Sequence, residues 1–199
     1  MRFGLNIPSI YLLSQYLTGG MSARRRMLEE YGKLRSGLRV LDIGCGPGYV
    51  ASYLNGCTYV GFDLDERYIQ YAQSHYSDRH TFYCRPFDSS AVNHFDKFDL
   101  VLMNGLLHHL PDDQARDLIN HSQAVLNTNG LLLTLDGCYQ DGQSPIARFL
   151  LDKDRGMYVR EAEGYKVLVE SVFEQVEIFI HSDFSVVPYT YIVTRCINA

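Results

Sequence analysis

The feature that most limits what this chain can become is the junction at residues 38–48. Leu38-Arg39-Val40-Leu41-Asp42-Ile43 reads as a buried strand and runs directly into Gly44-Cys45-Gly46-Pro47-Gly48. Glycine tolerates positive φ and carries no Cβ, so three glycines in this stretch make a tight turn that a ligand can approach along the backbone. A helix through Val50, Ala51 and Leu54 is expected next. Strand, turn and helix in that order open a parallel α/β unit, whose ligands sit at the carboxyl ends of the strands. The glycine pattern alone is weak evidence of binding, because tight strand-to-helix turns also need glycine for structural reasons.

The remainder extends this unit. Strands are expected at 58–62, 80–84, 98–103 and 131–135, separated by amphipathic helices. Asp65 caps a helix that turns Tyr68, Ile69 and Ala72 inward. Pro111, Asp112 and Asp113 open another, with Ala115, Leu118, Ile119, Val125 and Leu126 as its core stripe and Asn129-Gly130 as its stop. Two last strands, 176–180 and 191–194, are too close together for a helical crossover and are expected to be antiparallel neighbours. Ahead of the first strand, Ile10, Leu13, Tyr16 and Leu17 recur at helical spacing before Gly19-Gly20, and a second helix from near Ser22 turns Met27, Leu28 and Tyr31 inward. One domain over 1–199 is expected, with a helical cap over 1–36.

Charge and cysteine usage exclude several classes. A net charge of −5 disfavours a nucleic-acid partner, which is held largely by Lys and Arg on phosphates. The one basic cluster, Arg24-Arg25-Arg26, reads as a solvated helix face. Five cysteines without a C-x-x-C pair read as reduced, buried thiols. The stretch 7–17 lacks a cleavage site for a signal peptide, and no apolar run is long enough to span a bilayer. A cytoplasmic protein with no membrane contact is expected, as monomer or homodimer.

Two carboxylates sharpen the reading of the turn. Asp42 precedes the first glycine, where a phosphate cradle has no use for negative charge and a cationic ligand group does. Asp63 ends the next strand, where a carboxylate can take both hydroxyls of a ribose. The alternative for either is helix capping or a surface loop.

On these residues, on Tyr59-Val60-Gly61-Phe62 before Asp63, and on the 106–111 block with its paired histidines, the chain resembles the class I S-adenosylmethionine-dependent methyltransferases. The resemblance runs from about Leu34 to the C-terminus. It implies a Rossmann-like α/β fold: a seven-stranded, mostly parallel sheet with an antiparallel C-terminal strand and helices on both faces. It also implies S-adenosylmethionine as cofactor and S-adenosylhomocysteine as product. Carried over by position, Gly44, Cys45, Gly46 and Gly48 would flank the methionine and ribose parts, and Asp42 would face the amino group. Asp63 would hold the ribose hydroxyls, Leu64 would pack near the adenine, Asp88 would read its amino group and Phe87 would add a contact. Asn104 would sit close to the sulfonium. Asp88 also fits as the cap of a helix beginning Ser89-Ser90.

An acceptor hydroxyl needs a base, and His108 and His109 lie at the expected mouth of the site. Either could equally pack or bond to backbone. His75, His80, His94, His121 and His181 add no metal-ligand spacing, and adjacent side chains rarely share an ion, so no metal is expected. The acceptor is expected against Tyr16 and against a lid insertion at 137–170 carrying Tyr139, Arg148, Asp154, Arg155, Tyr158, Arg160 and Tyr165, where arginines could clamp an anion. A solvated helix pair is the alternative. Asn104-Gly105-Leu106-Leu107 lacks the Pro-Pro-aromatic turn frequent in methyltransferases of base and amide nitrogens. A hydroxyl or amine on a small metabolite, a sugar among them, is the expected acceptor. Competing readings are a non-catalytic S-adenosylmethionine-binding module and a nicotinamide-dependent oxidoreductase, the latter weakened by Tyr49 at the position of its third glycine.

Overall fold

Short apolar runs alternate with helices from residue 39 onward, and hydrogen bonding gathers those runs into one sheet. The computed structural model describes residues 19–154 and 156–199. Helix α1 (Gly20–Tyr31) precedes β1 (Arg39–Ile43), and a short 3₁₀ turn (Tyr49–Tyr53) leads to β2 (Thr58–Asp63). Then come α2 (Glu66–Tyr76), β3 (His80–Cys84), α3 (Ser89–Val92) and β4 (Phe98–Asn104). A second 3₁₀ turn (Leu107–His109) leads to α4 (Asp112–Val125) and β5 (Leu126–Tyr139). The chain continues through α5 (Pro145–Asp152), β6 (Arg160–Glu161), α6 (Ala162–Glu170), β7 (Gln175–His181) and β8 (Tyr191–Ile197).

The strand order is β3-β2-β1-β4-β5-β8-β7, with the two-residue β6 paired to β5. β8 runs antiparallel to both β5 and β7, and the other pairs are parallel. The sequence of the chain reverses direction across the sheet between β1 and β4, so a crevice opens where β1 and β4 end. The expected α/β class, the mostly parallel sheet and the reversed final strand are all present.

The sheet divides the core in two. One layer, including Leu41, Phe62, Met103, Ile119 and Tyr165, packs beneath α3, α4 and α6. The other, including Met27, Val40, Tyr59, Phe82 and Leu133, packs beneath α1, the first 3₁₀ turn and α2. Both faces are covered, which is why the central strands read as continuous apolar runs rather than alternating ones.

Two local expectations differ from the structure. The helix expected after the glycine turn is only the five-residue 3₁₀ turn Tyr49–Tyr53, because β2 begins too soon for more. Helix α4 stops at Val125, and Leu126, expected in its stripe, already belongs to β5. Phe98 pairs with Leu126 and Leu100 with Leu131, so 127–130 bulge out of the ladder. Asn129 supports the bulge with φ 60°, a conformation its short polar side chain tolerates.

The approach of the glycine turn to the sheet depends on Gly61, paired with Asp42 across β1 and β2. A methyl at Gly61 would lie 2.8 Å from Cys45 Sγ and 2.9 Å from Phe82 Cδ1. Gly61→Ala is therefore expected to lower the unfolding free energy by about 1–3 kcal/mol through overpacking, measured by urea denaturation. An unchanged midpoint would mean that the turn yields freely.

Candidate functional site

The turn at 44–48 is held by left-handed glycines, with φ 75° at Gly44, 55° at Gly46 and 75° at Gly48. Its amides are already used. Gly44 and Cys45 both donate to the Phe62 carbonyl, at 2.8 and 3.0 Å, and Gly48 donates to the Cys45 carbonyl at 3.1 Å. Gly46 donates to Asp63 Oδ2 at 2.8 Å, and Pro47 has no N–H. A phosphate cradle works by turning such amides toward the anion; here those of Gly44, Cys45 and Gly46 are turned toward the end of β2 and that of Gly48 back into the turn. The Cys45 side chain faces the protein over Gly61, and burial pushes its thiol well above the usual range. What Cys45 can offer a ligand is backbone.

Asp63 also accepts from the Asp65 amide, through Oδ1 at 2.9 Å. Burial raises its carboxyl despite these bonds. An ionised carboxylate has about four acceptor positions, so two amides leave capacity for two hydroxyls.

Asp42 is 1% exposed. Tyr59 donates to its Oδ2 at 2.7 Å, while Oδ1 is buried without a hydrogen-bond partner. Burial lifts this carboxyl to about 7, against the opposing pull of the Tyr59 hydroxyl and the Arg24 charge. Asn104, at the end of β4, is 7% exposed and neither of its amide atoms reaches a partner, although it lies near enough to Asp42 to help stabilise its charge.

Arg24 corrects the reading of its cluster. Arg25 pairs with Glu29 on the exposed face of α1, as a solvated helix face should, whereas Arg26 pairs with Glu30 and also donates to Asp183 in the loop after β7. Arg24 instead turns inward: its guanidinium lies 5.7 Å from the Tyr49 ring centroid and 3.4 Å from where a Gly105 Cβ would stand. It brings positive charge toward Asp42, a placement that nothing in the run of three arginines predicts.

On the far side of the turn, Leu64 is 74% exposed. Phe87 is buried edge-on to Phe62, with centroids 5.2 Å apart, so its ring serves the core. Asp88 is the cap of α3: its Oδ1 accepts from Ser90 N, Ala91 N and Ser90 Oγ. The cap uses one oxygen and leaves Oδ2 outside it.

The two histidines have unlike surroundings. His108 is buried and His109 exposed, with ring centroids 4.2 Å apart. His108 Nδ1 lies 2.8 Å from Asp136 Oδ1, on β5, and Nε2 lies 3.4 Å from Asp154 Oδ1, just past α5. Burial would lower the imidazole, but the two carboxylates outweigh it and hold it at about 9. Asp154 is held well below the usual carboxylate range despite its burial, chiefly by His108, and Tyr189 donates to its Oδ2 at 3.0 Å. A Cβ on Gly156 would collide with the His108 ring at 2.1 Å, so only glycine lets this segment close over the histidine. Tyr158 then donates its amide to the His108 carbonyl at 2.9 Å. Asp136, Asp154 and Tyr189 were not singled out in the sequence as partners of a histidine.

The expected acceptor residues divide. Arg160 donates from Nε and one terminal nitrogen to Asp112 Oδ1, and from its terminal nitrogens to the carbonyls of Leu107, Tyr158 and Leu110. The guanidinium thus staples the histidine loop, where a clamp on an acceptor anion was expected. Tyr139 donates to Asp152 at 2.9 Å, with the Arg148 guanidinium over its ring. Tyr165 is fully buried, donating to the Gly137 carbonyl, while Tyr158 is 37% exposed. Tyr16 and Arg155 lie outside the described residues.

Comparison with known proteins bears on the fold and the family. A ubiquinone biosynthesis O-methyltransferase of Psychrobacter arcticus is 31% identical over 104 residues, 49% of this chain and 40% of that protein. The chain therefore spans less than half the length of this relative. A TehB-like methyltransferase from Corynebacterium glutamicum superposes with a TM-score of 0.64 at 18% identity, over 89% of this chain and 88% of that one. The magnesium protoporphyrin IX methyltransferase of Synechocystis, solved with S-adenosylhomocysteine bound, gives 0.64 at 19% identity over 90% and 81%. The family described as a methyltransferase domain matches residues 17–170, more than half of the chain, and the protein belongs to that family.

Proposed function

We propose that this chain transfers a methyl group from S-adenosylmethionine to a hydroxyl or amine of a small molecule. The observation that carries the reading is the buried Asp42 Oδ1, left without a partner beside a turn whose amides are already spent on the Phe62 and Cys45 carbonyls and on the Asp63 carboxylate. Such a place suits a cationic amino group and disfavours the pyrophosphate of a nicotinamide cofactor.

Bound there, S-adenosylmethionine supplies a methyl group already activated by its sulfonium. Asp42 and Arg24 offer opposite charges to the amino and carboxyl groups of its methionine part. Asp63 has acceptor capacity for a ribose, exposed Leu64 offers an apolar face for the adenine, and Asp88 Oδ2 can take an amino proton. Orienting the acceptor in line is the chain's main contribution, worth roughly 7–11 kcal/mol in well-ordered reactions. Asn104 and the loop carrying the histidines line the end of β4, where the acceptor would enter. Between the histidines, exposed His109 is the one an acceptor can reach, whereas His108 holds Asp136 and Asp154 together. Of the segment 137–170, the part through Asp154, Tyr158 and Arg160 lies against the histidine loop on the acceptor side, while α6 packs on the core.

The relative named above acts, by its name, in ubiquinone biosynthesis, which supports a small-molecule acceptor. No helix among the described residues is long and apolar enough to cross a membrane, and all five cysteines are free thiols, which fits a reducing compartment such as the cytoplasm.

The direct test is release of S-adenosylhomocysteine from S-adenosylmethionine with a panel of small hydroxyl and amine acceptors. Turnover with an acceptor supports the reading; binding without turnover across the panel favours a non-catalytic module. Asp63→Ala is expected to weaken S-adenosylmethionine binding by more than about tenfold in calorimetry, with a thermal melt confirming a folded protein. Unchanged affinity would remove Asp63 from the site.

The Asp42 carboxyl adds a pH dependence. Its folded value of about 7 lies above the unfolded value of 3.8, so the folded state retains a proton that the unfolded state has released. Stability is thus lost as pH rises through that window. A cationic ligand needs the ionised form, so its affinity should rise about tenfold from about pH 5.5 to 7. Asp42→Asn should flatten that profile; a profile unchanged in the variant would assign the dependence elsewhere.

A further inference from the structure

We propose that His108, His109 and Asp154 form a binding site for a divalent transition-metal ion of the zinc class. One donor atom from each lies within 4.8 Å of the others. The spacing of His108 Nε2 and Asp154 Oδ1, 3.4 Å, matches the edge of a tetrahedron around an ion with bonds of about 2.0–2.1 Å, which is about 3.3–3.4 Å. An ion there takes the place of the proton on His108 Nε2, which is released to solvent on binding. Two imidazoles and one carboxylate suit zinc and its neighbours better than magnesium, which prefers oxygen throughout.

The surrounding groups are those a metal site requires. A ligating histidine commonly donates its other ring N–H to a carboxylate, which fixes the tautomer and aims the free nitrogen. Asp136, 1% exposed on β5, stands 2.8 Å from His108 Nδ1 in that role. Asp154 is oriented in the same way, through Tyr189 on Oδ2 and the Gly156 amide on Oδ1 at 2.8 Å. The adjacent histidines alone could not close around an ion; the third donor arrives from beyond α5, where Gly156 allows the chain to lie against the His108 ring.

Three protein donors leave one position of a tetrahedral ion open, as in catalytic zinc sites. His109 is exposed and Asp154 partly so, so that position can be reached from the mouth at the end of β4. A hydroxyl oxygen of the acceptor is the ligand class it would take. This consequence rests on the proposed methyl transfer, while the ion site itself does not.

Calorimetric titration with zinc and visible spectroscopy with cobalt(II) test the site without reference to activity. One equivalent of zinc should bind, and cobalt should show the strong visible absorption of a four-coordinate ion. His109→Ala and Asp154→Asn should each weaken zinc binding by at least about tenfold, and Asp136→Asn by about 10–100-fold through loss of orientation. His94→Ala, at an exposed histidine elsewhere, should bind as the unaltered protein does. His109 is exposed, so its variant stays folded and the test does not turn on stability. No saturable zinc binding, a cobalt spectrum of the six-coordinate aqueous type, or equal binding by the His109 and Asp154 variants would overturn the site. S-adenosylmethionine binding measured on the same samples reports separately on the methyltransferase reading.

Discussion

Everything at this site follows from where the backbone amides of a five-residue turn point. Gly44, Cys45 and Gly46 donate to the end of β2, locking the turn to the neighbouring strand. That lock makes the turn rigid and spends the donors that would otherwise attract an anion. The charge of the site then comes from side chains: Asp42 and Asp63 on one side, Arg24 on the other. A fold shared with phosphate-binding proteins is thereby suited to a zwitterionic ligand, with no change to the sheet.

The histidine loop depends on a different kind of order. Asp136 belongs to β5, His108 to the turn after β4, and Asp154 to the segment after α5. Arg160 adds several bonds to the same loop from β6. A stretch that sequence alone would leave as a surface excursion is therefore tied by charge to the carboxyl end of the sheet. His108 bridges the two carboxylates from its two ring nitrogens, and removing any one of the three leaves a buried polar group without its partner, so the three segments are held as a unit.

The strands and the turn were legible because the central strands are apolar on both faces and the glycines interrupt them sharply. The length of α4 was misread at Leu126 because an apolar residue fits a helix stripe and a strand start equally well. In the site, Asp42 and Asp63 announced themselves by sitting at strand ends. Arg24 did not, since one arginine among three looks like its neighbours until α1 packs against the turn. His108 and His109 are adjacent, and only the geometry of the 3₁₀ turn decides which is buried. Asp136 did leave a signal: a carboxylate after Leu133-Thr134-Leu135, in a strand otherwise apolar, needs a buried partner. Asp154 as that histidine's second partner follows from tertiary closure at Gly156, which no local pattern encodes.

The position of β8 has a consequence for assembly. Among the described residues it is the last strand in chain order, yet it lies between β5 and β7 and is the one strand paired with β7. While the chain is being synthesised, β5 therefore keeps an open, apolar edge until the residues of β8 emerge and slot into place. Through that interval β7 has no place in the sheet, and the sheet closes by insertion of β8 between two strands already made.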